Sequence, residues 1–171
     1  LTGSVDGTAR LWDLETGREV RQYPGARHAA ALTADGKRVV FAGGDGTVHF
    51  RDAPSGDEVV QLIWSVDGAV GMTPDGYYSA GRGALPAVFY RLGQKTYPFE
   101  QFDLKYNRPD VVLDRIGLAP KERVDSYRLA YEKRLKKMGF TEARLAGGHL
   151  PTAALAAATP TATAERTLKL K

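Results

Sequence analysis

The sequence predicts a mainly β protein that ends in a small α-helical connector and a disordered Ala/Thr/Pro-rich tail. Residues 6–13 read Asp-Gly-Thr-Ala-Arg-Leu-Trp-Asp, and a related segment returns at 45–52 after a shift of 39 residues. After residue 98 the apolar period changes from 2 toward 3.6. Residues 151–164 contain only Ala, Thr and Pro besides one Leu. A repeat of about 40 residues with several short strands is typical of a propeller blade, so we expect about two and a half blades of antiparallel strands.

The repeated units are read as short strands separated by tight turns. In the first unit, residues 5–7 form a turn and 8–13 a strand, with Arg10 and Trp12 on one face. The second unit contains four strands, which we place at 29–33, 38–42, 47–52 and 58–63. A third and weaker unit spans about 69–92. We therefore expect four-stranded antiparallel units every 39–40 residues, with Trp12 largely buried.

Residues 1–92 resemble the WD40 family in these turn and strand motifs. In that family a turn Asp joins a network with a Trp on the third strand and a His at the start of the unit. The first unit supplies the Asp and the Trp, and the second supplies the His and the Asp but has Arg51 in place of the Trp. The resemblance and the strand-closing aspartates imply these structural blade residues: Asp6, Trp12, Asp13, His28, Asp45 and Asp52.

The predicted organisation has three parts. Residues 1–92 are propeller blades, 93–140 a helical connector that opens with a linker at 93–98, and 141–171 a flexible linker followed by the start of a further domain. Propellers close with four to eight blades, so we expect the missing blades upstream of Leu1. Net charge follows this division, being −2 over 1–92 and +6 over 93–171.

The connector is predicted to contain two helices. The first runs over about 107–117, with Asn107 as its cap, Pro109 in its first turn and Gly117 at its end. The second runs from about 120 to 139. Its apolar residues recur at steps of three or four and should share one buried face; they are Val124, Tyr127, Tyr131, Leu135 and Met138. We expect this face to pack on the first helix and near Phe89 and Tyr90.

The connector sequence carries a second resemblance. Residues 105–113, Lys-Tyr-Asn-Arg-Pro-Asp-Val-Val-Leu, are followed by 133–140, Lys-Arg-Leu-Lys-Lys-Met-Gly-Phe. Together they are similar to the connector of large bacterial proteins that place a WD40 propeller before a caspase-like peptidase domain. In such proteins the catalytic His and Cys lie beyond the connector. This chain has no cysteine, so the resemblance assigns no catalytic residue here.

Reactive and ligand-binding motifs are absent from the sequence. The three histidines, His28, His49 and His149, have no metal-ligand spacing, and the turn aspartates fit turn closure better than paired carboxylates. The glycine-rich segment 42–46 lacks the Lys-Ser/Thr ending of a phosphate loop. We expect no catalytic residue, cofactor or metal site, and no small-molecule substrate.

These observations predict a protein–protein interaction scaffold that positions a downstream effector domain through rigid surfaces and loops. The alternative is the regulatory portion of a caspase-like cysteine peptidase whose catalytic domain lies beyond Lys171. A weaker alternative is binding of nucleic acid or an acidic surface by the basic helix 121–137. We expect a cytoplasmic location and no membrane partner, because no signal peptide or membrane-length apolar run is visible.

Overall fold

The chain folds into three antiparallel sheets and four short helices over residues 1–146, the part that the computed structural model describes, apart from the side chains of His28, Ser65 and Ala87. The first sheet contains β1 (Thr2–Gly3), β2 (Thr8–Trp12) and β3 (Glu19–Pro24). The second contains β4 (Ala26–Leu32), β5 (Arg38–Gly43), β6 (Thr47–Asp52), β7 (Glu58–Ser65), β8 (Gly68–Met72) and β9 (Tyr78–Ala80). The third is a hairpin of β10 (Phe89–Leu92) and β11 (Lys95–Pro98).

The prediction of a mainly β chain with antiparallel sheets and short helices is confirmed. Strands β4 to β7 match the four predicted strands of the second unit, although β4 begins earlier, at Ala26. The Asp-Gly turns form as expected, with Gly7 and Gly46 at positive φ values of 83° and 80°. These turns are local and follow from residues that tolerate the left-handed conformation.

The predicted third unit does not form a separate four-stranded sheet. Strand β8 pairs with β7 from Gln61↔Met72 to Ser65↔Gly68, so the second sheet has six continuous strands. The reason is the connection between β7 and β8, which is only two residues long and imposes a hairpin. Strand β10 pairs with β11, so residues 95–98 belong to a hairpin where a linker was predicted.

The first sheet packs on one face of the six-stranded sheet. Their shared core contains Ala9, Tyr23, Ala26, Val39, Phe41 and Ala53, all buried. The Tyr23 hydroxyl donates a 2.5 Å hydrogen bond to the carbonyl oxygen of Ala53 and so joins the first repeat unit to the second. Trp12 is partly buried, in keeping with the prediction that most of its surface is covered. Its ring lies outside the shared core, and its Nε1 donates to Thr2 Oγ1 at 2.9 Å.

The connector helices cover the other side of this sheet. They are α1 (Asp103–Tyr106), α2 (Pro109–Ile116), α3 (Lys121–Lys137) and α4 (Glu142–Ala146). Helix α2 places Val112 against Phe50 and Val60, and it packs against β7, β9 and α3. Gly71 permits this approach, because a Cβ there would lie 3.0 Å from Val112 Cγ1. Helices α2 and α3 correspond to the two predicted connector helices, with Gly117 ending α2 at a φ of 77°.

The buried face of α3 is narrower than the apolar face that the sequence predicts. Val124, Tyr131 and Leu135 are buried, whereas Tyr127 and Met138 are 44% and 56% exposed. Tyr127 lies about 60° around the helix axis from Val124 and so at the edge of the face, and Met138 follows the end of the helix. The expected contact near Phe89 is wrong in its location, because Phe89 is 57% exposed and α3 bonds to Asp103 and Asn107 instead.

The structure describes only the first residues of the predicted C-terminal linker. Residues 142–146, at the start of the predicted flexible linker, form α4. The predicted disordered tail and the strand-like segment 167–171 lie outside the described residues, as does His149.

Candidate functional site

The turn aspartates act as hydrogen-bond acceptors within their own turns. Asp6 Oδ1 accepts from the Thr8 amide at 2.9 Å and hydroxyl at 2.6 Å, and Asp45 Oδ1 accepts from the same groups of Thr47 at 3.0 and 2.7 Å. The hydroxyl bonds are the main reason that the pKa values of both aspartates are lowered. This arrangement fits turn closure by ionised carboxylates.

The strand-closing aspartates behave in the same way. Asp13 Oδ1 accepts from the amides of Glu15 and Thr16 at 2.8 and 3.0 Å. Asp52 Oδ1 accepts from the Ser55 amide at 2.9 Å, and its Oδ2 from Arg38 at 2.8 Å. The bonds to backbone amides are the main cause of the lowered pKa of each of these carboxyl groups.

A network of polar side chains also repeats between the two units, and sequence reasoning missed it. Arg10 lies 2.6 Å from Asp6 and 3.5 Å from Glu19. His49, which is 39 residues further on, lies 3.7 Å from Asp45 and 3.0 Å from Glu58. The signal was present in the sequence, because each of these residues has its partner at the same shift. The side chain of His28 lies outside the described part of the chain, so its predicted place in a blade network stays a prediction.

Arg51 occupies the position where the WD40 resemblance implies a Trp. Its guanidinium lies 3.2 Å from Glu58 Oε2 and 5.6 Å from the ring centroid of Phe41. Phe41 in turn stacks on His49 at 5.1 Å. Arg51 therefore makes an ion pair and a cation–π contact at this position.

Thr47, His49 and Glu58 form a chain that has the geometry of a nucleophile, a base and an orienting acid. Thr47 Oγ1 lies 2.7 Å from His49 Nε2, and His49 Nδ1 lies 3.0 Å from Glu58 Oε2. Such an arrangement can activate a hydroxyl group. Here the Thr47 hydroxyl is also bonded to Asp45, and the Gly43 backbone is so near that a Cβ would lie 2.6 Å from His49 Nε2. We therefore interpret the chain as a packed turn network.

The most extensive polar joint lies where the connector meets the last strands. Asp103 Oδ1 accepts from the Tyr78 hydroxyl and from Asn107 Nδ2, both at 2.8 Å, and its Oδ2 accepts from Arg134 at 3.0 Å. Arg134 also donates to the carbonyl oxygen of Asn107 at 2.9 Å. Burial and the bond to Asp103 raise the pKa of Tyr78, so its hydroxyl stays protonated and donates.

Arg108 forms the second half of this joint. Its guanidinium binds both oxygens of the buried Asp110 at 2.7–3.2 Å, contacts Glu142 of α4 at 2.9 Å and stacks over the Tyr131 ring at 3.9 Å. Burial opposes the charge of Arg108 most strongly, but the hydrogen bonds to Asp110 and the charge interactions with Asp110, Tyr131 and Glu142 together outweigh it and raise the pKa of Arg108. One side chain therefore links the starts of α2 and α4 to the middle of α3.

Aromatic rings and a second ion pair extend the joint. Tyr90 packs on Tyr106 and Phe102 at centroid distances of 5.1 and 4.9 Å, and its hydroxyl donates to the Gly76 carbonyl oxygen at 3.0 Å. At the far end of α2, Arg115 binds both oxygens of Asp75 at 2.5 and 2.8 Å. The connector is thus fixed to the sheet at both ends of α2.

Some site classes have no candidate in the described residues. Residues 1–146 contain no group of three or more His, Cys, Asp or Glu side chains that could hold a metal ion. None of the helices in that range is long and apolar enough to cross a membrane. A scan against protein-family profiles and a search of curated proteins found no match to this chain.

Proposed function

We propose that the chain is an interaction scaffold whose connector holds a following domain at a fixed position relative to a partner-binding β surface. The proposal treats the sheets as blades of a WD40-like propeller that binds a protein partner in the cytoplasm. The observation that carries it is the connector joint, in which Arg108, Asp103 and Arg134 tie the helices to the last strands of the sheet. A joint of partly buried ion pairs and stacked rings restricts the rotation of the helices against the sheet, and a scaffold that orients a following domain requires this restriction.

The pair of Arg108 and Asp110 is costly to break. Asp110 is 1% exposed, so removing its guanidinium partner would leave a buried charge without compensation, which costs roughly 3–5 kcal/mol. The pair also holds the Arg108 guanidinium beside Tyr131 of α3 and Glu142 of α4. These contacts favour a role in orientation.

Paired spin labels test this role, and the absence of native cysteine makes labelling specific. Labels at Glu15→Cys and Glu132→Cys span the first sheet and α3, and both positions are exposed. We expect a narrow distance distribution that broadens in the Arg108→Ala/Arg134→Ala variant. A control pair at Glu15→Cys and Lys37→Cys, which lie in turns of the first and second sheets, should stay narrow in both backgrounds. A broad distribution for the first pair in the otherwise unchanged protein would contradict the proposal.

The regulatory portion of a caspase-like peptidase is the second candidate. The observation that favours it is that the two segments carrying this resemblance, 105–113 and 133–140, meet at the bond between Arg134 and Asn107. The test is to join the chain to a caspase-like domain encoded in the same gene and to measure cleavage of arginine and lysine peptides. Disrupting the joint should alter this cleavage, and an unchanged rate would count against regulation.

A further inference from the structure

Helix α3 presents a second surface that the connector joint leaves unused. The surface is a stripe of residues at helical steps of three or four, all exposed: Arg123, Ser126, Tyr127, Ala130, Lys133 and Lys137. We refer to these six residues as the outer stripe. It faces away from the side of α3 on which Val124, Tyr131 and Leu135 are buried.

The basic residues of the outer stripe have no ion-pair partner within residues 1–146. By contrast, Arg134 pairs with Asp103 and Arg128 pairs with Asp125. Successive residues of an α-helix are about 100° apart, so Asp125 and Glu132 project away from the stripe and only Glu122 borders it. The charge of Arg123, Lys133 and Lys137 is therefore available to a ligand.

The dipole of α3 stabilises some of the positive charges of the outer stripe but not all of them. Lys133 and Lys137 lie near the C-terminus of α3, where a cation is favourable, but Arg123 lies in the first turn, where the helix dipole disfavours a cation. The dipole of α3 therefore does not stabilise the charge of Arg123, which remains exposed.

The outer stripe lies beside two concave regions of the surface. Tyr127 and Ala130 line two adjoining hollows, one bounded by Pro109 and Arg134 and the other by Arg123 and Ser126. We refer to these two hollows, which share Tyr127 and Ala130, as the groove. Small side chains at Ser126 and Ala130 let another backbone approach, and the half-exposed ring of Tyr127 offers a flat contact.

From this geometry we propose that the outer stripe docks an acidic segment of a partner protein, in which Asp or Glu side chains meet the three free cations. The cations are spread over about 21 Å, given a rise of about 1.5 Å per residue, which suits an acidic helix laid along α3. The six residues of the outer stripe make none of the joint's bonds, although the joint residue Arg134 borders one of the hollows, so the proposal goes beyond the scaffold role.

Two other anionic ligands fit the stripe less well. The outer stripe could neutralise three phosphates of a nucleic acid, and Tyr127 is the one aromatic residue of the stripe available for stacking. This is a small contact area for nucleic-acid binding. A membrane surface would need bulky aliphatic side chains beside the cations, and the stripe has none. The groove and the spacing of charge favour a peptide.

Fluorescence anisotropy of the full chain with three probes tests the proposal. The probes are a labelled helical Ala/Glu/Leu peptide with Glu at steps of three and four, a single-stranded oligonucleotide of equal charge, and vesicles containing phosphatidylserine. The variant Arg123→Glu/Lys133→Glu/Lys137→Glu removes the stripe. The control Lys121→Glu/Arg128→Glu/Lys136→Glu changes the net charge by the same amount elsewhere on α3.

We expect the acidic peptide to bind most tightly and to lose at least tenfold in affinity in the stripe variant, with less than a threefold loss in the control. Circular dichroism melting checks that both variants fold. Equal losses in the two variants would mean non-specific charge attraction and would overturn the proposal. Tighter binding of the oligonucleotide or the vesicles, or binding of none of the probes, would overturn it as well.

Discussion

Leu135→Ala measures how strongly the connector is held by its apolar contacts. Leu135 lies on the docked side of α3 and is 6% exposed, so the substitution removes buried methyl groups and leaves a cavity. Such changes cost about 2–5 kcal/mol. For a chain of this size each kcal/mol lowers the melting temperature by about 2–4 °C, which predicts a decrease of at least about 4 °C.

Leu129→Ala is a matched control, because it changes the same residue type on the same helix at a position that is 56% exposed. Its effect on the free energy of unfolding should stay within about 0.5 kcal/mol. Thermal and urea unfolding of both variants measures the difference directly. Equal, small effects of the two substitutions would refute the docking of α3, since a free helix would not distinguish them.

Two further substitutions probe the contacts of α2. Gly71→Ala should destabilise the protein by about 1–3 kcal/mol in urea unfolding, because the new Cβ would lie 3.0 Å from Val112 Cγ1. The control Gly81→Ala should be near neutral, because its Cβ meets no atom within 4 Å. Equal effects of the two substitutions would mean that α2 does not pack against Gly71. The hydrogen bonds from Arg115 lower the pKa of Asp75 to about 2, so its stabilising contribution is complete above about pH 4 and is lost as the pH falls through about 2. Because the Asp75 side chain is 49% exposed, this contribution should be below about 1 kcal/mol. Acid titration of stability should show it in the unchanged protein and not in Arg115→Gln, and identical curves would contradict it.

Local features of the fold could be predicted from the sequence. The Asp-Gly pairs at 6–7 and 45–46 define their turns through two adjacent residues, and Gly117 ends α2 for the same kind of local reason. The apolar spacing of α3 identified the helix and its three buried residues. It could not show that Tyr127 stays exposed, because that depends on which part of the apolar face packs against α2.

Contacts between distant parts of the chain were harder to predict. The period of about 40 residues predicted that residues 69–92 form a separate unit. In the structure β8 pairs with β7, because the connection between these two strands is only two residues long. The joint depends on Asp103 and Arg134, which are 31 residues apart and share no motif. His49 and Glu58 could have been found, because Arg10 and Glu19 stand at the equivalent positions of the first unit.

Simultaneous unfolding measurements on two probes test the central claim that the connector and the sheets form one rigid unit. The two tryptophans, Trp12 and Trp64, both lie in strands, so their fluorescence reports on the sheets, while circular dichroism at the helix band reports mainly on the connector. Coincident transitions are the mark of a single cooperative unit. We predict the same midpoint for both signals in urea and on heating. Loss of the helix signal at a lower urea concentration, with the fluorescence unchanged, would contradict a connector that is held in place by the sheet.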